Sequence, residues 1–137
     1  MLEIEARQLI NLQKMNNEQK VQNQHVSQHN SNEMLPAVLR LTLKKKWFDM
    51  IAAGIKKEEY REWKPYWFNR LIEGAPCEPK MKHFDYVEFR NGYKKDAPLL
   101  LVECNGITIG DAMPEWSDNF QGRCFVIRLG KIVLSRA

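Results

Sequence analysis

The feature that most limits what this chain can fold into is a break in its composition near residue 34. Residues 1–33 hold twelve Asn or Gln and no aromatic side chain, whereas all fourteen aromatics lie beyond. A packed core needs large apolar side chains, so the break separates an N-terminal arm and linker, 1–33, from one globular domain, 34–137. Charge divides at the same place: the arm carries three basic and four acidic residues, the domain eighteen and thirteen. The domain's net +5, within a total of +4, permits an anionic partner such as a nucleic acid or nucleotide without demanding one.

The arm keeps a weak apolar rhythm at Leu2, Leu9, Ile10, Leu12, Met15 and Val21. It reads either as a helix able to dock or to pair with a second copy, giving a homo-oligomer, or as a flexible tail. Beyond Val21, QNQHVSQHNSNE is polar linker. His25 and His29 have no carboxylate or cysteine companion there, so they read as linker residues and not as metal ligands. Cys77, Cys104 and Cys124 are odd in number and lack CxxC spacing, which fits a reducing compartment without disulfides or structural zinc. No stretch approaches 18 uncharged apolar residues, and the N-terminus has no basic-then-apolar signal pattern. The expected location is cytoplasmic, with no membrane partner.

Within the domain, Leu39, Leu41 and Leu43 alternate with Val38, Arg40 and Thr42, predicting a half-buried strand. KKKWFDMIAAG then spaces Trp47, Phe48, Met50 and Ile51 on one helix face and ends at Gly54. KEEYREW reads as a short strand, and Pro65 opens a second helix that runs to Gly74. APCEPKMK is loop. HFDYVEFRNGY alternates and ends in the hairpin signal Asn91-Gly92. PLLLVECNGITIG is a long strand bent at Asn105-Gly106, and RCFVIRLGKIVL closes the sheet. Five or more strands with two early helices imply a small α+β barrel.

Chemistry concentrates in GIKKEEYRE, whose skeleton is Gly54-x-Lys56-x-x-Glu59-x-Arg61. Glycine ends the helix in a left-handed conformation that a Cβ disfavours. Lys56 follows in the turn, overhanging any cleft beside the strand. Glu59 and Arg61, two apart on a strand, share a face, with Glu58, Tyr60 and Glu62 on the other. An ammonium, a carboxylate and a guanidinium grouped in this way offer both donors and acceptors to a base or phosphate. Glu103, at the parity of Leu99 and Leu101, is either a second carboxylate of the site or a strand residue reaching water.

This skeleton, placed between a helix end and a strand, resembles the signature of the ASCH domain, a member of the PUA-like superfamily; the likeness in element order covers residues 36–134. It implies a PUA-like β-barrel of five to six strands with two short helices, binding RNA or a modified nucleoside. Some small ASCH-like proteins hydrolyse the amide of acetylated cytidine with a lysine, a threonine and a glutamate. By that resemblance the candidate catalytic residues are Lys56, Glu59 at the threonine position, and Glu103. The replacement matters: a carboxylate is a poor nucleophile toward an amide, and beside Lys56 it raises the lysine pKa, opposite to what a base needs. Either Glu59 or Glu103 activates a water, or the site only binds, and the reading here leans to binding.

Aromatic and basic residues around the motif suit stacking on unpaired bases beside phosphate contacts. Trp63 and Tyr66 are expected to edge the cleft, while Trp67 and Phe68 read as core. Lys44, Lys45 and Lys46 leave a positive cluster at the first helix start, by default a solvated face, with phosphate contact through Lys45 as the alternative. Arg40 is expected to project into the cleft, and Trp116 to act as a lid over it. No glycine-rich phosphate loop and no metal-spaced cluster occurs, so no metal or other cofactor is expected. The leading function is thus RNA or modified-nucleoside binding. The alternatives are a hydrolase acting on acylated nucleosides or RNA, and an interaction module assembling through the arm.

Overall fold

The structure, a computed structural model, describes residues 35–118 and 122–136. The expectations about the arm lie outside these residues. Nine elements carry the fold: β1 (Val38–Thr42), α1 (Lys45–Ala52), β2 (Glu58–Glu62), α2 (Pro65–Leu71), β3 (Ile72–Glu73), β4 (Lys80–Met81), β5 (Tyr86–Arg90), β6 (Leu99–Gly110) and β7 (Cys124–Arg136). Among the described residues this is an α+β fold, with one curled five-stranded half-barrel sheet in the order β1-β5-β6-β7-β2 and a small β3-β4 ribbon. No helix is long and apolar enough to cross a membrane among them.

Alternation in β1 places Leu39 and Leu41 opposite Val87 and Phe89 of β5, and all four are buried in the main core. Trp47, Phe48 and Ile51 of α1 join them in that core, as do Leu100, Phe125 and Ile127. Each such burial contributes about 1.5–3 kcal/mol, so the helix is held by its apolar face. It has little else: Lys44 stands at the N-cap and Lys45 and Lys46 in the first turn, with no capping side chain and no acidic residue there. β6 bends where expected, with Gly106 at φ +109° and a register shift between Cys104 and Ile107.

Two local readings are corrected. The second helix stops at Leu71, short of Gly74, because Ile72 and Glu73 pair with Met81 and Lys80; the 75–82 stretch read as loop therefore contains β4. Asn91-Gly92 does not form a two-residue hairpin. The ladder resumes only at Leu99, opposite Arg90, and residues 91–98 form a longer loop with Gly92 at φ +109°. The curled half-barrel sheet, with β1 and β2 at its edges among the described residues, is compatible with the small α+β barrel expected.

β1 runs parallel to β5, and Leu43 N donates to Arg90 O at 2.8 Å, so odd-numbered residues of β1 face β5. The carbonyls of Arg40 and Thr42 therefore point to the open edge. Arg70 Nη2 donates to Arg40 O at 3.1 Å and Arg61 Nη2 to Thr42 O at 3.4 Å. Guanidinium groups from α2 and β2 thus cap an edge that would otherwise present unpaired carbonyls.

Candidate functional site

The turn after α1 builds the site. Gly54 sits at φ +74°, Gly54 N donates to Ile51 O at 3.0 Å, and Ile55 N donates to Met50 O at 2.9 Å. That bond pair is the Schellman arrangement, and the left-handed residue it needs is glycine at no steric cost. The chain is thereby turned into β2 with Lys56 just ahead of the strand.

Lys56 does not overhang a cleft, which corrects the sequence expectation. Its residue is 1 % exposed. Nζ donates to Trp116 O at 2.6 Å and lies 3.5 Å from Glu59 Oε1, over the rings of Trp47 (5.3 Å) and Tyr60 (4.7 Å). The aromatic faces and the carbonyl make a niche in which an ammonium can be buried. Burial pushes its pKa below the ordinary 10.5, with Glu59 opposing that shift.

Glu59 is 5 % exposed. Oε1 accepts from Tyr60 N at 2.8 Å and faces Lys56. Oε2 lies 3.8 Å from Arg61 Nη2 and has no hydrogen-bond partner; Arg61 Nε likewise has none. Arg61 makes only long hydrogen bonds, 3.4 Å each, to the carbonyls of Tyr60 and Thr42, while its guanidinium lies 5.1 Å from the Trp67 ring centre. Tyr60, between them in sequence, turns its phenol to Glu58 (2.7 Å), and burial followed by that bond raises its pKa.

Glu59 and Arg61 line a cleft of about 610 Å³ at the seam between β1 and β2. Trp47, Trp63 and Trp116 supply aromatic walls, and Lys44 and Arg123 supply cations. Trp63 is held edge-on to Phe68, with ring centres 4.6 Å apart, and still exposes 43 % of its surface. Trp116 sits on a 3-10 turn (Pro114–Trp116), and Asp118 just beyond it accepts from Lys44 Nζ at 2.9 Å and from Trp47 Nε1 at 3.2 Å. Those two bonds, led by Lys44, hold the Asp118 carboxyl below its ordinary pKa. Lys56 under Trp116 and Lys44 against Asp118 tie the 114–118 strap over the cleft at two points.

The structure brings Glu59, Arg61, Trp63 and Trp116 to the cleft wall, with Lys56 one layer behind. Four other candidates lie elsewhere. Lys45 pairs with Asp49 one turn along α1, and Lys44 takes the cleft position. Tyr66 stands out on α2, 58 % exposed, edge-on to Trp67 and close to Arg70. Arg40 turns to Glu88, 3.4 Å away. Glu103 accepts from Lys131 N at 3.3 Å and does not line the cleft, so the trio of Lys56, Glu59 and Glu103 is not gathered there. Trp67 and Phe68 pack against the core, as read. Sequence reasoning missed Thr42, Trp47, Asp118 and Arg123 as cleft residues; the proximity of Asp118 to Trp116 in the chain was the available signal. Comparison with protein-family models, curated proteins and solved structures found no match to this chain.

Proposed function

We propose that this cleft binds single-stranded RNA or a modified nucleoside, in the manner expected of an ASCH-type, PUA-like domain. The observation that carries the reading is the unused hydrogen-bonding capacity at its wall: Glu59 Oε2 as acceptor and Arg61 Nε as donor, both buried and without partners. A buried polar group left unpaired costs roughly 1–3 kcal/mol, so such groups beside a cleft favour a ligand that pairs with them. An acceptor next to a donor complements the N–H and C=O or ring nitrogen that neighbour one another on the pairing edge of a nucleobase. Arg61 can turn to a ligand cheaply, because its present bonds are long.

The walls suit the same class. Trp63 and Trp116 offer faces or edges for stacking, and a cleft of about 610 Å³ falls within the range of small-ligand sites. The cationic rim favours an anionic backbone. A hydrolase reading would require Lys56 and Glu103 to meet at one reacting atom. Lys56 Nζ is tied to a backbone carbonyl and Glu103 to a backbone N–H, so binding is the better supported reading.

Titration of the full chain with short single-stranded RNA and with nucleosides, followed by tryptophan fluorescence, tests this. Saturable binding that weakens steeply with salt for RNA, and that is lost in Arg61→Ala, is expected. No response to any of these probes at low salt would remove the proposal.

A further inference from the structure

We infer that the rim of this cleft contains a phosphate subsite which the chain's own Asp118 occupies, so that the ligand carries a phosphate and displaces that carboxylate on binding. The inference rests on the binding reading above and narrows it to phosphorylated ligands.

One carboxylate oxygen, Asp118 Oδ2, takes both the Lys44 ammonium at 2.9 Å and the Trp47 indole N–H at 3.2 Å. Both donors come from the start of α1, whose first turn has neither a capping side chain nor an acidic residue. Its first backbone N–H groups lack intrahelical partners, and the helix dipole adds to the attraction for an anion. Arg123 lines the same cleft and adds a further cation. The cleft also contains the independent sign of a ligand already described, the unpartnered Oε2 of Glu59, on a side chain 6 % exposed.

Asp118 is suited to be displaced. Its side chain is 54 % exposed and lies past the 3-10 turn in a loop, outside any strand or helix. An exposed ion pair of this kind contributes little. A terminal phosphate brings more charge and more acceptor oxygens to the same donors than a carboxylate, and an internal phosphodiester brings an equal charge on a ligand already held by the rest of the cleft, so either displaces so exposed a carboxylate. A mere staple for the strap would behave differently, because removing its charge would loosen the loop without changing which ligands bind.

The experiment uses the full chain, titrated calorimetrically with the four ribonucleosides, the four ribonucleoside 5′-monophosphates, inorganic phosphate, and a five-nucleotide single-stranded RNA without terminal phosphates. Phosphate-bearing probes should bind more tightly than nucleosides. Asp118→Asn should raise the affinity of these probes relative to that of the nucleosides by about threefold to fivefold. Lys44→Ala and Trp47→Phe should each abolish that gain. If the gain appears with monophosphates, the subsite takes a terminal phosphate; if it appears with the RNA, it takes an internal phosphodiester. If nucleosides bind as well as the phosphorylated probes and Asp118→Asn changes neither, the subsite is refuted while the base cleft stands. If none of the probes binds, both fall.

Discussion

Glu59 and Glu88 are both carboxylates buried against cations, one on an edge strand of the sheet and the other on an interior strand. Glu88 sits directly across from Arg40 in the β1–β5 register, and its Oε2 lies 3.4 Å from both Arg40 Nε and Arg90 Nε. The ladder itself delivers its partners: one from the neighbouring strand, one from two residues along its own. Glu59 draws on the Tyr60 N–H and Lys56 for one oxygen, and the other oxygen is left with Arg61 at 3.8 Å. An interior carboxylate is enclosed by register neighbours, whereas one on an edge strand facing a cleft keeps capacity for something outside the sheet. The difference separates a charge that holds the fold together from one available to a ligand.

The sharpest way to break this comparison is to strip Glu59 of its ammonium. Lys56→Ala leaves a buried carboxylate and the Trp116 carbonyl without their donor, and should destabilise the domain by about 3–5 kcal/mol in urea denaturation. A loss below about 1 kcal/mol would mean that the burial of Glu59 does not depend on Lys56. Glu88→Gln should follow, with a loss of roughly 2 kcal/mol, since two guanidinium groups keep a neutral acceptor in place of a charge. Its RNA affinity should match that of the unsubstituted chain, and a parallel drop in affinity would erase the distinction between the two carboxylates.

Glu59→Gln should differ in binding, not in stability: a loss of roughly 2 kcal/mol like that of Glu88→Gln, since Lys56 and Arg61 keep a neutral acceptor, but with RNA or nucleoside binding weakened by roughly tenfold in fluorescence titration. Equal affinity would show that the unpaired oxygen is not used. The smallest effect concerns the other face of β2. Burial raises the Tyr60 pKa above its ordinary 10.0, so the folded chain keeps the phenol proton after the unfolded chain has lost it. That contribution is complete below pH 10 and disappears as pH climbs toward the raised folded value. Tyr60→Phe should lose about 1 kcal/mol at neutral pH with the Glu58 bond, and should flatten the alkaline decline in stability; an unchanged alkaline slope would contradict the shift.

Much of the framework was legible because it is local. Leucine alternation in β1, the Trp47, Phe48 and Ile51 face of α1, and the bend at Gly106 each follow from period or backbone freedom within a few residues. The shared side of Glu59 and Arg61 is local too, since they lie two apart on a strand. Arg40 and Glu103 were not placeable on parity alone. Parity says which face a side chain leaves from, while the strand beside it determines what it meets, and that was Glu88 for Arg40 and the Lys131 N–H for Glu103. The early helix stop at Leu71 has the same origin, a pairing with residues 80 and 81 that overrides a continuing helical pattern.

By itself, the sequence determined a β–α–turn–β opening in which Gly54 throws a lysine, a glutamate and an arginine close together, because those conformations depend on chain neighbours. Tertiary structure alone decided that β1 lies parallel to β5, that Lys56 is buried and not overhanging, and that Asp118 closes on Lys44. The last two contacts span 60 and 74 residues of chain, Lys56 to Trp116 and Lys44 to Asp118. No local periodicity encodes such distances; they are set by how the sheet curls and which loop it brings back over the seam.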